Sequence, residues 1–194
     1  MSDIEVKGII INAATKFFSK FGFSKTTMSE IARHTHKAKG LLYYYFNSKE
    51  ELFNEVLKQE LSKIKTELGK IAVSEMDPLV MLKTYLLLHL KLLNKALTYH
   101  ETLKADFFEK YHFVKNVRDD FSHFEREQLS IILGKGKDEG YLSITDITSS
   151  ANITLMILHG IEISLFLQHE YDAYEATLDE LSTVMISGLK SLKK

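Results

Sequence analysis

A chain of 194 residues with 45% hydrophobic and 26% charged side chains can bury a core and suits one or two small domains. It has no cysteine, which excludes disulfides, thiolate chemistry and cysteine-ligated metal; its one proline and nine glycines leave room for long uninterrupted helices. The formal net charge of −1 conceals an asymmetry: residues 1–49 carry eight basic side chains against three acidic ones, a balance of +5, so the remainder holds −6. A basic lobe on an acidic body predicts an anionic partner for the first lobe alone, against the plainer reading of scattered surface lysines.

The opening MSDIEVKGIIINAATK lacks the form of a secretory signal, because its apolar stretch is short and no small-residue cleavage site follows. The most apolar later run, 153–167, carries His159 and Glu162 and is too short to span a bilayer. A cytoplasmic protein is expected.

In chain order, Ile10, Ala13, Ala14, Phe17, Phe18 and Phe21 recur at helical spacing and predict a first helix over 4–21, stopped by Gly22. Thr27-Met28-Ser29-Glu30 has the form of a capping box and opens a short second helix whose apolar face is Met28, Ile31 and Ala32. After a break at 35–37, a third short helix covers 38–46. Ser48-Lys49-Glu50-Glu51 reads as another capping box, opening a long fourth helix toward residue 70. A longer packing helix followed by two short ones across a tight turn is a helix-turn-helix arrangement.

The third helix contains Tyr43, Tyr44 and Tyr45 in succession. Neighbouring helical residues point about 100° apart, so the three rings cannot share one core. With Leu42 inward, Phe46 and Ala38 lie within about 40° of it and Tyr45 within about 60°. Gly40 and Tyr44 then face nearly opposite, with Tyr43 and Leu41 on the flanks. Outward phenols beside Lys39 and Lys49 suit phosphate oxygens, sugars and thymine methyls, and Gly40 permits close approach of a second surface.

Residues 8–54 resemble the DNA-binding domain of the tetracycline-repressor (TetR) family. The resemblance rests on Ile10 to Phe17, FGFSKTTMSEIA (21–32), KGLLYYYFNSKEELF (39–53) and the loop between them. It implies an all-α homodimer: a three-helix DNA-binding domain at 1–47 and a helical ligand-binding and dimerisation domain at 48–194. It further implies a ligand-responsive transcriptional regulator, a repressor at a palindromic operator, with neither catalytic residues nor cofactor. By position, Thr27 resembles the family's phosphate contact, Lys39, Gly40, Leu41 and Tyr43 its base-edge positions, and Tyr44, Tyr45 and Lys49 its backbone contacts. The chain departs from the family at His36-Lys37-Ala38, where Gly-Val-Ser is usual, and at Leu41, where threonine is frequent. Histidine tolerates the left-handed backbone that the glycine permits better than most residues do.

Further on, Asp77-Pro78 has the form of a helix start and predicts a helix over 79–98. A short segment at 100–108 follows, then a helix through Phe121 and Phe124 to Leu133, closed by the glycine-rich turn Gly134-Lys135-Gly136 and Gly140-Tyr141. Residues 146–169 read as a long helix, apolar on most sides, and Thr177-Leu178-Asp179-Glu180 as the cap of the last helix. The family resemblance makes the last two helices a dimer bundle and the middle helices an inducer pocket. Phe107, Phe108, Tyr111, Phe121, Phe124, Met156 and His159 are then its candidate walls, for a small and mainly apolar inducer.

Two other functions compete. Glu109/His112 and Asp120/His123 echo the Glu-x-x-His pattern of helical metal carboxylate proteins, although solvated charge is the plainer reading and no metal is expected. A ligand-sensing helical dimer without a specific operator is the second alternative; the basic outward face weighs against it.

Overall fold

The computed structural model describes residues 2–104 and 112–190. The α-helices among them are α1 (Asp3–Lys25), α2 (Met28–His34), α3 (Lys39–Tyr45), α4 (Lys49–Ala72), α5 (Pro78–Leu93), α6 (Leu97–Leu103), α7 (Lys115–Asp138), α8 (Ile147–Glu162) and α9 (Tyr171–Leu189). A 3-10 turn, His112–Val114, precedes α7, and a π-helical turn, Ile163–Leu167, follows α8. Two compact units result: Met1–Ser62 with Ala96–Arg118, and Lys63–Lys95 with Asp119–Lys194.

In the first unit, Ile10, Ala14, Phe18, Phe23, Ile31, Leu42, Phe46, Leu52 and Phe53 form the core. Phe18 and Phe23 each meet the Phe53 ring near a right angle, with centroids 5.0 and 5.2 Å away. Gly22 does break α1, with φ +77°, but helical turns resume as far as Lys25. Conformation favours glycine there, whereas a Cβ, 2.9 Å from Glu101 Oε1, would displace only the end of that flexible side chain. Packed on α1, α6 has no side-chain cap of its own. Glu60 supplies one, accepting from Tyr99 N at 2.9 Å, while the Arg118 guanidinium donates to Thr102 O at 2.9 Å.

In the second unit, Asp77 caps α5 by accepting from Leu79 N at 2.8 Å. The helix stops at Leu93 rather than continuing to residue 98, because Ala96 takes a non-helical conformation (ψ 71°) and α6 starts afresh. A second correction concerns the glycines at 134 and 136, which α7 runs straight through. A Cβ on Gly136 would sit 2.6 Å from Leu142 Cδ1 and 3.4 Å from Pro78 Cβ, so this glycine serves close packing, and the chain turns only at the second part of the expected turn, Gly140 (φ +78°). The last helix also begins earlier than expected, at Tyr171; the Thr177 hydroxyl donates back to Tyr174 O instead of capping.

Asp146 caps α8, accepting from Thr148 N at 2.9 Å. The Ser149 hydroxyl and amide hold its carboxyl below the ordinary carboxylate value. Together α8 and its π turn, Ile147–Leu167, have the length and apolar composition of a bilayer span, which the shorter run at 153–167 does not suggest. The helix is two-sided, however. Ala151, Leu155, Leu158 and Glu162 are buried, whereas Ile153, Met156, Ile157 and the π-turn residue Ile163 are exposed.

Candidate nucleic-acid interface

Helix α3 is positioned from within. Leu42 and Phe46 are buried where α3 packs on α2, with Lys7 of α1 over the Phe46 ring, Tyr45 is half-buried, and Tyr43 and Tyr44 stand out at 43% and 74% exposure. This phase matches the one read from helical spacing, with one exception: Ala38, expected inward, is exposed because it precedes the first helical turn. His36 adopts φ +53°, so the turn keeps its left-handed residue without glycine.

Thr27 caps α2. Its hydroxyl oxygen accepts from Glu30 N at 3.2 Å, and Glu30 Oε2 accepts from Thr27 N at 2.9 Å. The Thr27 hydroxyl also donates to Glu30 at 2.7 Å, and these bonds hold the Glu30 carboxyl below its ordinary value. A phosphate arriving at Thr27 therefore competes with an ionised carboxylate for that proton. The corresponding box at α4 is displaced by one residue: Ser48 accepts from Glu51 N at 3.1 Å, but the Glu51 carboxylate turns to Asn47 N at 2.7 Å.

Along α3, Lys39, Gly40, Tyr43 and Tyr44 are exposed and Leu41 is half-exposed. The Lys39 ammonium lies 5.8 Å from the Tyr43 ring centre, one helical turn away. A Cβ built on Gly40 meets nothing within 4 Å. The free protein therefore has no packing need for glycine there, although glycine costs a helix about 1 kcal/mol relative to alanine.

Two of the assigned backbone contacts already have partners. Tyr45 donates to Asp3 Oδ1 at 2.9 Å, and Lys49 donates to Phe23 O at 2.8 Å with its ammonium 4.1 Å from the Phe23 ring centre. Sequence reasoning missed Asp3 and Glu30 as anions bordering this face. Glu30 is visible in its capping box; Asp3 is reached only through a contact spanning 42 positions.

Four of the seven candidate pocket residues fall among the described residues. Phe107, Phe108 and Tyr111 lie outside the described residues. Phe121 is buried, Phe124 is half-buried beside Gly69, and Met156 is 73% exposed. His159 Nε2 approaches Glu125 Oε2 at 3.3 Å. An open cavity of about 430 Å³ lies on α8, its π turn and α9, lined by Ile161, Ser164, Leu165, Tyr174 and Leu178 among others and by none of the described wall candidates. Of the two Glu-x-x-His echoes, Glu109 is outside the described residues, Asp120 pairs with Lys65, and His123 lies 3.3 Å from Glu127.

The sequence model of the family described as bacterial regulatory proteins, tetR family, matches residues 10–56, which hold all of α2 and α3. The chain is similar to the HTH-type transcriptional regulator QacR of Staphylococcus aureus, 25% identical over 191 residues that cover 96% of this chain and 99% of QacR. It is 42% identical over 62 residues to YhgD of Bacillus subtilis, an uncharacterised HTH-type transcriptional regulator, in a match covering 32% of either chain. Among solved structures, a transcriptional regulator from Cytophaga hutchinsonii is 27% identical, with a TM-score of 0.75 over 95% of this chain and 98% of that one.

Proposed function

The chain belongs to the TetR family of bacterial transcriptional regulators, and from that premise we propose that it acts in the cytoplasm as a ligand-responsive repressor, binding a palindromic operator as a homodimer. Residues 1–47 are the reader and 48–194 the ligand-binding and dimerisation part. The observation that carries this reading is the outward face of α3, which is basic, aromatic and opened by a glycine that internal packing does not require. Lys39, Gly40, Leu41 and Tyr43 meet base edges; Thr27, Tyr44, Tyr45 and Lys49 meet phosphates. Tyr45 and Lys49 do so by exchanging their partners Asp3 and Phe23 O.

One α3 covers only a half-site, so a dimer is needed to place two readers about 34 Å apart or a multiple of it. The exposed apolar side of α8 (Ile153, Met156, Ile157) is the surface a second copy covers. The inducer is small and mainly apolar, held among the middle helices with His159 as a polar anchor. It acts only through unequal affinity for the DNA-competent and released states.

Selection of bound fragments from the source genome, followed by titration against random duplex, tests this function. A palindromic fragment bound at least about 1000-fold more tightly than random DNA supports it. Equal affinity for every duplex leaves a polyanion binder, and no binding at all leaves a sensor without an operator.

A further inference from the structure

Helix α1 breaks at Gly22 (φ +77°, ψ 169°), and a single further turn, residues 23–25, separates the break from Thr26 and the cap residue Thr27. Phe23 is held at three points within this turn. Its N–H donates to Glu101 Oε1 at 3.4 Å, its carbonyl accepts from the Lys49 ammonium at 2.8 Å, and its ring has those of Phe53 and Phe113 at centroid distances of 5.2 Å each. Thr26 is fully buried and closes the turn from the other side, its hydroxyl donating to Gly22 O at 2.8 Å. The segment therefore ends on two residues assigned to phosphates: Lys49, held at Phe23, and Thr27, which follows it directly.

Glu101 reaches this turn from α6, 78 positions along the chain. Its side chain is 14% exposed, and its other oxygen, Oε2, accepts from the Lys104 ammonium at 2.7 Å. The helix that carries it is itself anchored, through Glu60 at the Tyr99 amide and Arg118 at the Thr102 carbonyl on either side of Glu101. Aromatic packing fixes the Phe23 ring but not the peptide planes around it. The bonds to Glu101 and Lys49 fix those planes, the first through the N–H before the Phe23 Cα and the second through the carbonyl after it. A carboxylate also suits an amide where a helical ladder is interrupted and restarts. By charge alone Glu101 is out of place, since an anion in the unit that meets phosphates weakens binding. Position and charge therefore predict opposite signs for its removal.

We propose that Glu101 is a positioning residue for DNA binding: from α6 it fixes the turn between Gly22 and Thr26, and so sets where Thr27 and Lys49 stand when phosphates arrive. The proposal rests on the DNA-binding function and on the phosphate roles given to those two residues. Glu101 itself touches no DNA. What it supplies is an acceptor oxygen at the reach of a glutamyl side chain, so an uncharged acceptor of the same length replaces it and a shorter carboxylate does not. Aspartate withdraws the carboxylate by about 1.5 Å, one carbon–carbon bond, which takes an oxygen already 3.4 Å from Phe23 N out of hydrogen-bond range.

The test compares full-length wild type with Glu101→Gln, Glu101→Asp and Glu101→Ala. Each is titrated against random duplex at several salt concentrations, at a temperature where circular dichroism shows it folded. Glu101→Asp and Glu101→Ala are expected to lose affinity about fivefold or more, and the salt slope to fall by about 1, because Lys49 is the charged one of the two contacts. Glu101→Gln is expected to bind within about twofold of wild type, or more tightly, at an unchanged slope. Unchanged or tighter binding by Glu101→Asp and Glu101→Ala would overturn the proposal, and so would an equal loss in all three variants or a loss with no change of slope. If Glu101→Ala does not fold, the aspartate and glutamine variants decide between reach and charge by themselves. Wild type that binds no duplex at all defeats the DNA-binding function; wild type that binds, with variants that bind equally, defeats this inference alone.

Discussion

The Tyr45 phenol donates to the Asp3 carboxylate at 2.9 Å, joining the last turn of the reading helix to the first turn of α1 across 42 positions. Partial burial and the Asp3 contact hold the phenol above its usual value, so it remains a donor. Asp3 therefore holds the proton that Tyr45 is assigned to give a phosphate, and places a negative charge where phosphates arrive. Asp3→Asn is expected to raise affinity for all DNA sequences about two- to fivefold, with the gain largest at low salt. Anisotropy titrations at several salt concentrations check this; a loss of affinity would mean that Asp3 chiefly orients Tyr45.

Tyr44→Phe and Lys49→Ala are expected to weaken binding to operator and random duplex alike, because phosphate contacts position without specifying. The Lys49 change should also reduce the salt slope by about 1. Lys49 holds Phe23 O and faces the Phe23 ring, so its removal should lower the unfolding midpoint as well, which Tyr44→Phe should not. A change in sequence preference at undiminished affinity would reverse the assigned roles.

Gly40→Ala separates folding from reading. A Cβ there meets open space, and alanine is the better helix former, so the variant should be as stable as wild type or more so. Operator affinity should nevertheless fall tenfold or more, by order of magnitude, because the added methyl stands between α3 and the base edges. Calorimetry and titration of one preparation provide the comparison, and undiminished affinity would show that DNA does not approach this face.

How much of this was legible in the sequence depended on range. The Thr27 capping box, the inward Leu42 and Phe46 and the outward Tyr44 follow from residues within four positions of one another, where spacing alone fixes the geometry, whereas the left-handed His36 is implied only by the family resemblance. Gly136 was misread because a glycine that ends a helix and a glycine that admits a neighbour look alike until Leu142 is in place. The Glu101 contact at Gly22 and the approach of His159 to Glu125 join segments tens of residues apart, and no periodicity encodes such pairings.

Ile157 is 41% exposed among the apolar residues on the outer side of α8. Ile157→Glu should convert a dimer into monomers and abolish operator binding with little change in secondary structure, because a buried unpaired charge at a subunit contact is costly. Light scattering with circular dichroism reads both; a wild-type protein already monomeric at micromolar concentration would contradict the dimer itself.

The most direct measurement is the ratio of affinities for the selected operator and for random duplex, in wild type and in Tyr43→Ala. Tyr43 is 43% exposed on the outward side of α3, so its loss should leave the fold and the phosphate contacts intact. If α3 reads base edges, the ratio should drop by roughly 5- to 150-fold, equivalent to about 1–3 kcal/mol of discrimination, while affinity for random DNA changes little. An unchanged ratio, with both affinities lowered together or not at all, would contradict base readout by this helix.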